Sequence, residues 1–186
     1  MSGEGATTYR GPIVRDETIL RVVWSPKDVN ETTREVMTSA FSSSDLRGIQ
    51  NGFSVDRKRL ATPKFTNALS KKQVAPPDKI DAWISEAHSD VVVSVVIDNA
   101  KCFEIIATPQ KATNELPSNP AHSEIINISG KKGDGFVKNQ LRVKLQPLFS
   151  KAVPFPDYQW PNRSGASWVT DVVANLRGFI RRLLKR

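Results

Sequence analysis

Cysteine is almost missing from this chain: Cys102 stands alone among 186 residues. That excludes an intrachain disulfide and a Cys-rich zinc site, and a single thiol among strand-type apolar residues reads as inert core. Such cysteine usage is what a reducing cytoplasm leads one to expect. No apolar run reaches the roughly 18 residues of a spanning helix, and the opening Met1 to Arg10 has no apolar signal core. The expectation is a cytoplasmic protein, neither integral nor secreted by that route. There are two histidines, His88 and His122, without clustered cysteines, so no metal or cofactor is expected.

Catalytic signatures are missing as well. Gly130 to Gly135 lacks the lysine and hydroxyl residue of a Walker-type phosphate cradle and reads as a turn, and no Gly-x-Ser-x-Gly elbow occurs. Neither helix-turn-helix nor zinc-finger spacing is found, nor the base-stacking aromatics of a single-strand binder. Nucleic acid is therefore expected only as a non-specific, electrostatic partner.

What is present has the composition of a folded domain: 39% apolar and 25% charged residues, in a length suited to one core. Residues 1–17 read as a flexible lead-in, 18–153 as the domain, 154–166 as a Pro-rich linker and 167–186 as a terminal helix. Strands are predicted at Ile19 to Trp24, Phe53 to Val55, Val91 to Ile97, Cys102 to Ile106 and His122 to Ile128, from their β-branched and aromatic content. Asp98 to Lys101 should join the middle pair as a hairpin. Helices are predicted at Asn30 to Phe41 and, capped by Asp78, from Lys79 onward, where Ile80, Trp83, Ile84 and Ala87 follow helical spacing. Val137, Leu141, Leu145, Leu148 and Phe149 favour a helix over 137–149, although Leu141 to Leu145 also alternates like a strand. Arg57 to Lys72 is basic and poorly patterned. Tyr158 and Trp160 suggest that the linker packs against something. Strands and helices without regular β-then-α alternation make this an α+β fold with a small sheet and flanking helices.

The terminal segment carries the sharpest pattern. Trp168, Val169, Val172, Val173, Leu176, Phe179, Ile180, Leu183 and Leu184 fall within an arc of about 160° on a helix, with Arg177, Arg181, Arg182 and Lys185 outside it. Together with Arg163 and Arg186, and against Asp171, the segment from Arg163 onward holds +5 of the net +8 charge. Burying nine such side chains is worth on the order of ten kcal/mol before entropic costs, so the stripe needs dry cover. Cover from the chain's own core, from a protein partner or second copy, or from a membrane surface would serve, the last being the weakest fit. Trp168, Val172, Leu176, Phe179, Ile180, Leu183 and Leu184 are the expected partner-binding residues. Arg177, Arg181, Arg182, Lys185 and Arg186 are the expected contacts to an acidic surface.

Catalytic residue types concentrate in one other place. His122 and Glu124 sit two apart on a predicted strand, hence on one face, just after a Pro-rich loop. A carboxylate there orients the imidazole or acts as a base. Arg21 and Ser54, on earlier strands, complete the order of residue types that NAD-handling transfer chemistry uses, though no specific motif accompanies them. The sequence thus points first to a non-catalytic accessory subunit acting through its terminal helix, and secondly to a small nucleotide- or NAD-handling transferase built on His122, Glu124, Arg21 and Ser54.

Overall fold

The computed structural model describes residues 13–42, 44–46, 52–131 and 133–161. Residues 162–186, with the predicted terminal helix and its partner-binding and arginine residues, lie outside the described residues.

The body is a six-stranded antiparallel sheet with helical segments packed on it, an α+β domain. Its strands are β1 (Thr18–Pro26), β4 (Phe53–Arg57), β5 (Lys79–His88), β8 (Phe103–Ala107), β9 (His122–Asn127) and β10 (Ala152–Pro154). They lie side by side in the order β10-β5-β1-β4-β9-β8. Two small hairpins flank the sheet: β2 (Val29–Asn30) with β3 (Glu35–Val36), and β6 (Val96–Ile97) with β7 (Ala100–Lys101). The helices are α1 (Pro63–Gln73), α2 (Ser89–Val93) and a run over 134–149. In that run Asp134–Phe136 and Arg142–Leu145 are α-helical, Val137–Leu141 widens to a π turn and Gln146–Phe149 tightens to 3₁₀.

Strand alternation gives the sheet two faces. One carries Ile19, Val23, Phe53, Val55, Ile105 and Ile125 onto Val137, Leu141, Leu145 and Phe149 of the helical run, forming the main core. Phe41, Phe53 and Phe149 meet there, with ring centroids 5.0 to 6.4 Å apart. The other face has a smaller apolar cluster around Leu20, Ile84, Ala121 and Tyr158. Trp160 packs edge-on to Tyr158 at 4.9 Å, so the aromatics of the predicted linker do cover the sheet.

Several local expectations are corrected. The helix expected from Lys79 is the strand β5, paired with β1 from Thr18 against His88 to Pro26 against Lys79 and with β10 on its other side. Ile84 belongs to one core and Trp83 to the other, so a strand flanked on both sides satisfies apolar spacing that also suits a helix. The helix expected over Asn30 to Phe41 is instead the β2–β3 hairpin followed by a 3₁₀ turn, Thr38–Ala40. There the Asn30 side-chain oxygen accepts the N–H groups of Thr32 and Thr33, and Arg34 turns the chain at φ 60°. A side chain that bonds its own turn competes with helix. Val91–Val93 belongs to α2, and the expected hairpin with Cys102 to Ile106 does not form: β6 pairs with Ala100–Lys101 around a turn at Asp98 and Asn99, φ 52° and 61°, while β8 pairs with β9. Packing also starts before Thr18: Val14 is buried and its N–H bonds Ile105 O at 2.8 Å.

Candidate functional site

β1 and β4 are paired only at Ile19 with Arg57 and Leu20 with Asp56. Continuing that register would set Arg21 against Val55, Val22 against Ser54 and Val23 against Phe53, but the strands part before those pairs form. The gap opens into a cleft of about 400 Å³ with walls from β1, β4, β9, α1 and the loop segments at Lys27–Asp28 and Ser39–Ser42.

Arg21 spans the parting strands. Its guanidinium donates to Ser54 O at 2.7 Å and Ala40 O at 3.3 Å and lies 3.9 Å from the centre of the Phe53 ring. Burial lowers its pKa to about 10, a loss that Asp45, Asp28 and Asp56 partly offset, so it remains a cation at neutral pH. Its Nε is buried without a partner.

Asp56 and His122 are register partners on β4 and β9, and Leu20 is in line with them on β1. Cross-strand partners share a face, with Cβ atoms about 5 Å apart. Asn119 donates to Asp56 Oδ1 at 2.8 Å. Burial raises the Asp56 carboxyl above its ordinary value, opposed by the Asn119 hydrogen bond and by the nearby His122 and Arg21. His122 Nδ1 lies 2.9 Å from Thr108 O and 2.8 Å from Thr108 Oγ1. A carbonyl only accepts, so Nδ1 carries the proton and Nε2 of the neutral ring carries the lone pair. Among the described residues neither Asp56 Oδ2 nor His122 Nε2 has a hydrogen-bond partner, and neither atom is sealed from solvent.

At the far end of β1, Asp28 Oδ2 accepts the Trp24 N–H at 3.2 Å while Oδ1 is buried and unpartnered. Lys79 lies with its ammonium 5.4 Å from the Trp24 ring centre, and Lys27 joins it in the wall.

Of the residues singled out in the sequence, Arg21, Ser54 and His122 all line this cleft, but Arg21 leaves β1 on the main-core face, over Phe53, whereas Ser54 and His122 belong to the other face. Glu124 does not line the cleft. It pairs with Ser54 and Ile106, one step along the same face, and lies against Gly52, where a Cβ would come within 2.4 Å of Glu124 Cβ. Asp56 stands where Glu124 was expected, beside His122. Sequence reasoning missed Asp56, Asp28 and Asn119, yet Ser54-x-Asp56 alternation on a predicted strand already puts Asp56 on Ser54's face. α1, one wall of the cleft, was also missed, although Pro63 at its first position is a start signal.

Among the described residues no group of three or more His, Cys, Asp or Glu side chains is arranged to hold a metal, and no helix is long and apolar enough to cross a membrane. No protein-family model, curated protein or solved structure matches the chain.

Proposed function

We propose that the protein binds a small polar molecule in the cleft between β1 and β4. One observation carries this reading. Among the described residues, the two buried side-chain nitrogen or oxygen atoms without a partner, Arg21 Nε and Asp28 Oδ1, both belong to residues of this cleft. An unmet buried polar atom costs about 1–3 kcal/mol, and native chains rarely retain one without a use. A volume of about 400 Å³ is also within the size range of small-ligand sites. The test is an amide and side-chain NMR survey of the full-length protein against mixtures of polar metabolites. Shifts concentrated on Arg21, Asp56 and His122 are expected; a survey that moves only residues elsewhere, or none, would overturn the reading.

A second reading, docking on a protein partner or self-association, is supported by the sequence of 168–184, whose nine apolar residues recur at the spacing of one helical face. Cutting the chain after Pro161 should leave the sheet folded and abolish association seen by light scattering. A full-length chain that is monomeric and captures nothing, with a truncated chain that unfolds, would assign the stripe to the protein's own core.

A further inference from the structure

We propose that the cleft's ligand is a ribonucleotide, with its vicinal diol on Asp56 and His122 and its phosphates on Lys27 and Lys79. The proposal rests on the small-ligand reading above and specifies its chemistry.

The open polar atoms at one end of the cleft are two acceptors. In its ionised form Asp56 offers Oδ2, and the neutral His122 ring, its tautomer fixed by the Thr108 carbonyl, offers Nε2. They stand side by side on neighbouring strands, as register partners. A ligand must bring two donors close together to meet both. Adjacent hydroxyls on a sugar ring do this, whereas a phosphate or carboxylate, having only acceptors, would be repelled.

The opposite end has the reverse character. Lys79 and Lys27 have no carboxylate partner among the described residues, and they outnumber Asp28 there two charges to one. From Leu20, level with Asp56 and His122, to Trp24, beneath Lys79, the cleft follows β1 for four residues, about 13 Å at strand rise. That separation suits a molecule with hydroxyls at one end and phosphates at the other. Apolar side chains also line the cleft, Leu20 and Val22 from β1, Phe65 and Leu69 from α1, and Leu116, beside the polar Gln73 and Gln110. Such walls suit a base.

The test is calorimetric titration of the full-length protein with ADP, GDP, CDP and UDP, each beside its 2′-deoxy form, and with the matching nucleoside and inorganic phosphate. At least one ribonucleoside diphosphate should bind, and its 2′-deoxy form should bind about tenfold more weakly or worse, as expected when a hydrogen bond to a charged group is lost. Asp56→Asn and His122→Phe should erase most of that discrimination, and Lys79→Met should shrink the advantage of the diphosphate over its nucleoside. Equal binding of ribo and deoxy forms to the native chain would overturn the proposal, as would binding indifferent to Asp56→Asn. If His122→Phe fails to fold, the deoxy comparison and Asp56→Asn still decide. A cleft that responds to polar metabolites but to none of these nucleotides would sink the ribonucleotide assignment and leave the small-ligand reading standing; no response to any polar molecule would sink both.

Discussion

Asp56 and His122 are paired across the β4–β9 ladder, each held from behind by the loop that joins β8 to β9: Asn119 donates to the carboxylate and the Thr108 carbonyl accepts the hydrogen bond from the imidazole Nδ1–H. That loop closes on itself through reciprocal main-chain hydrogen bonds between Gln110 and Asn119, both 2.9 Å. The Pro-rich segment is thus the support that fixes two side chains with their free atoms open, and positioning of this kind is what a binding site needs.

Asp56 should cost stability at neutral pH. Its carboxyl is raised by burial, so the folded chain keeps that proton to a higher pH than the unfolded chain does. Its contribution is therefore fully present below the ordinary carboxyl range and is lost as pH rises through the raised value. Asp56→Asn removes this titration. The variant is expected to melt above the native chain at pH 7, with the gap closing as pH falls to about 4. Scanning calorimetry at the two pH values checks it; a native chain that is the more stable at pH 7 would show that its neighbours favour the charge after all.

Arg21→Met should destabilise the fold by about 1–3 kcal/mol, because the Ser54 and Ala40 carbonyls lose their donors and Phe53 loses its cation. Arg21→Lys should fall between the two, keeping the charge but not the fork that reaches both carbonyls. Urea unfolding with an unchanged slope is the measurement. If Arg21→Met matches the native chain, the guanidinium contributes nothing to closing the seam.

The His122 tautomer is open to direct observation. Nitrogen-15 shifts at a pH where the ring is neutral should show a protonated Nδ1 and a bare Nε2. Thr108→Val should leave this unchanged, since the carbonyl at 2.9 Å, not the hydroxyl, requires the proton. The opposite tautomer in the native chain would remove one of the two acceptors on which the diol contact depends.

Gly52→Ala should cost about 1–3 kcal/mol through overpacking, since its new methyl meets Glu124 Cβ at 2.4 Å and that atom cannot swing away. Glu124→Gly in the same chain should recover most of the loss, and Glu124→Ala, which keeps the Cβ, should not. Chemical denaturation of the three variants separates steric crowding from any effect of the Glu124 charge.

The sequence made legible those elements whose pattern had one reading. β1, β4 and β9 fall where β-branched and aromatic runs predict them, and with them Arg21, Ser54 and His122. β5 was misread because Ile80, Trp83, Ile84 and Ala87 satisfy helical spacing, and what decides between the two is pairing with β1, more than fifty residues away in sequence. Asp56 was passed over for the same reason. That it stands beside His122 is a fact of β4–β9 register, which no local pattern contains. The hairpin at Val29 to Val36 was lost to a different cause, the Asn30 side chain, which bonds its own turn and cancels the helix-start signal of Thr32 and Thr33.

The early parting of β1 and β4 has a consequence for how the protein can fail. Unpaired strand flanks ordinarily belong to the rim of a sheet, where a cation keeps foreign strands from adding. Here such a flank lies in the interior, and the guard is Arg21, which crosses to the Ser54 carbonyl. A chain with an aliphatic residue at position 21 keeps its rim intact and opens a slot at its middle, so its hazard is strand addition between molecules through the centre of the sheet.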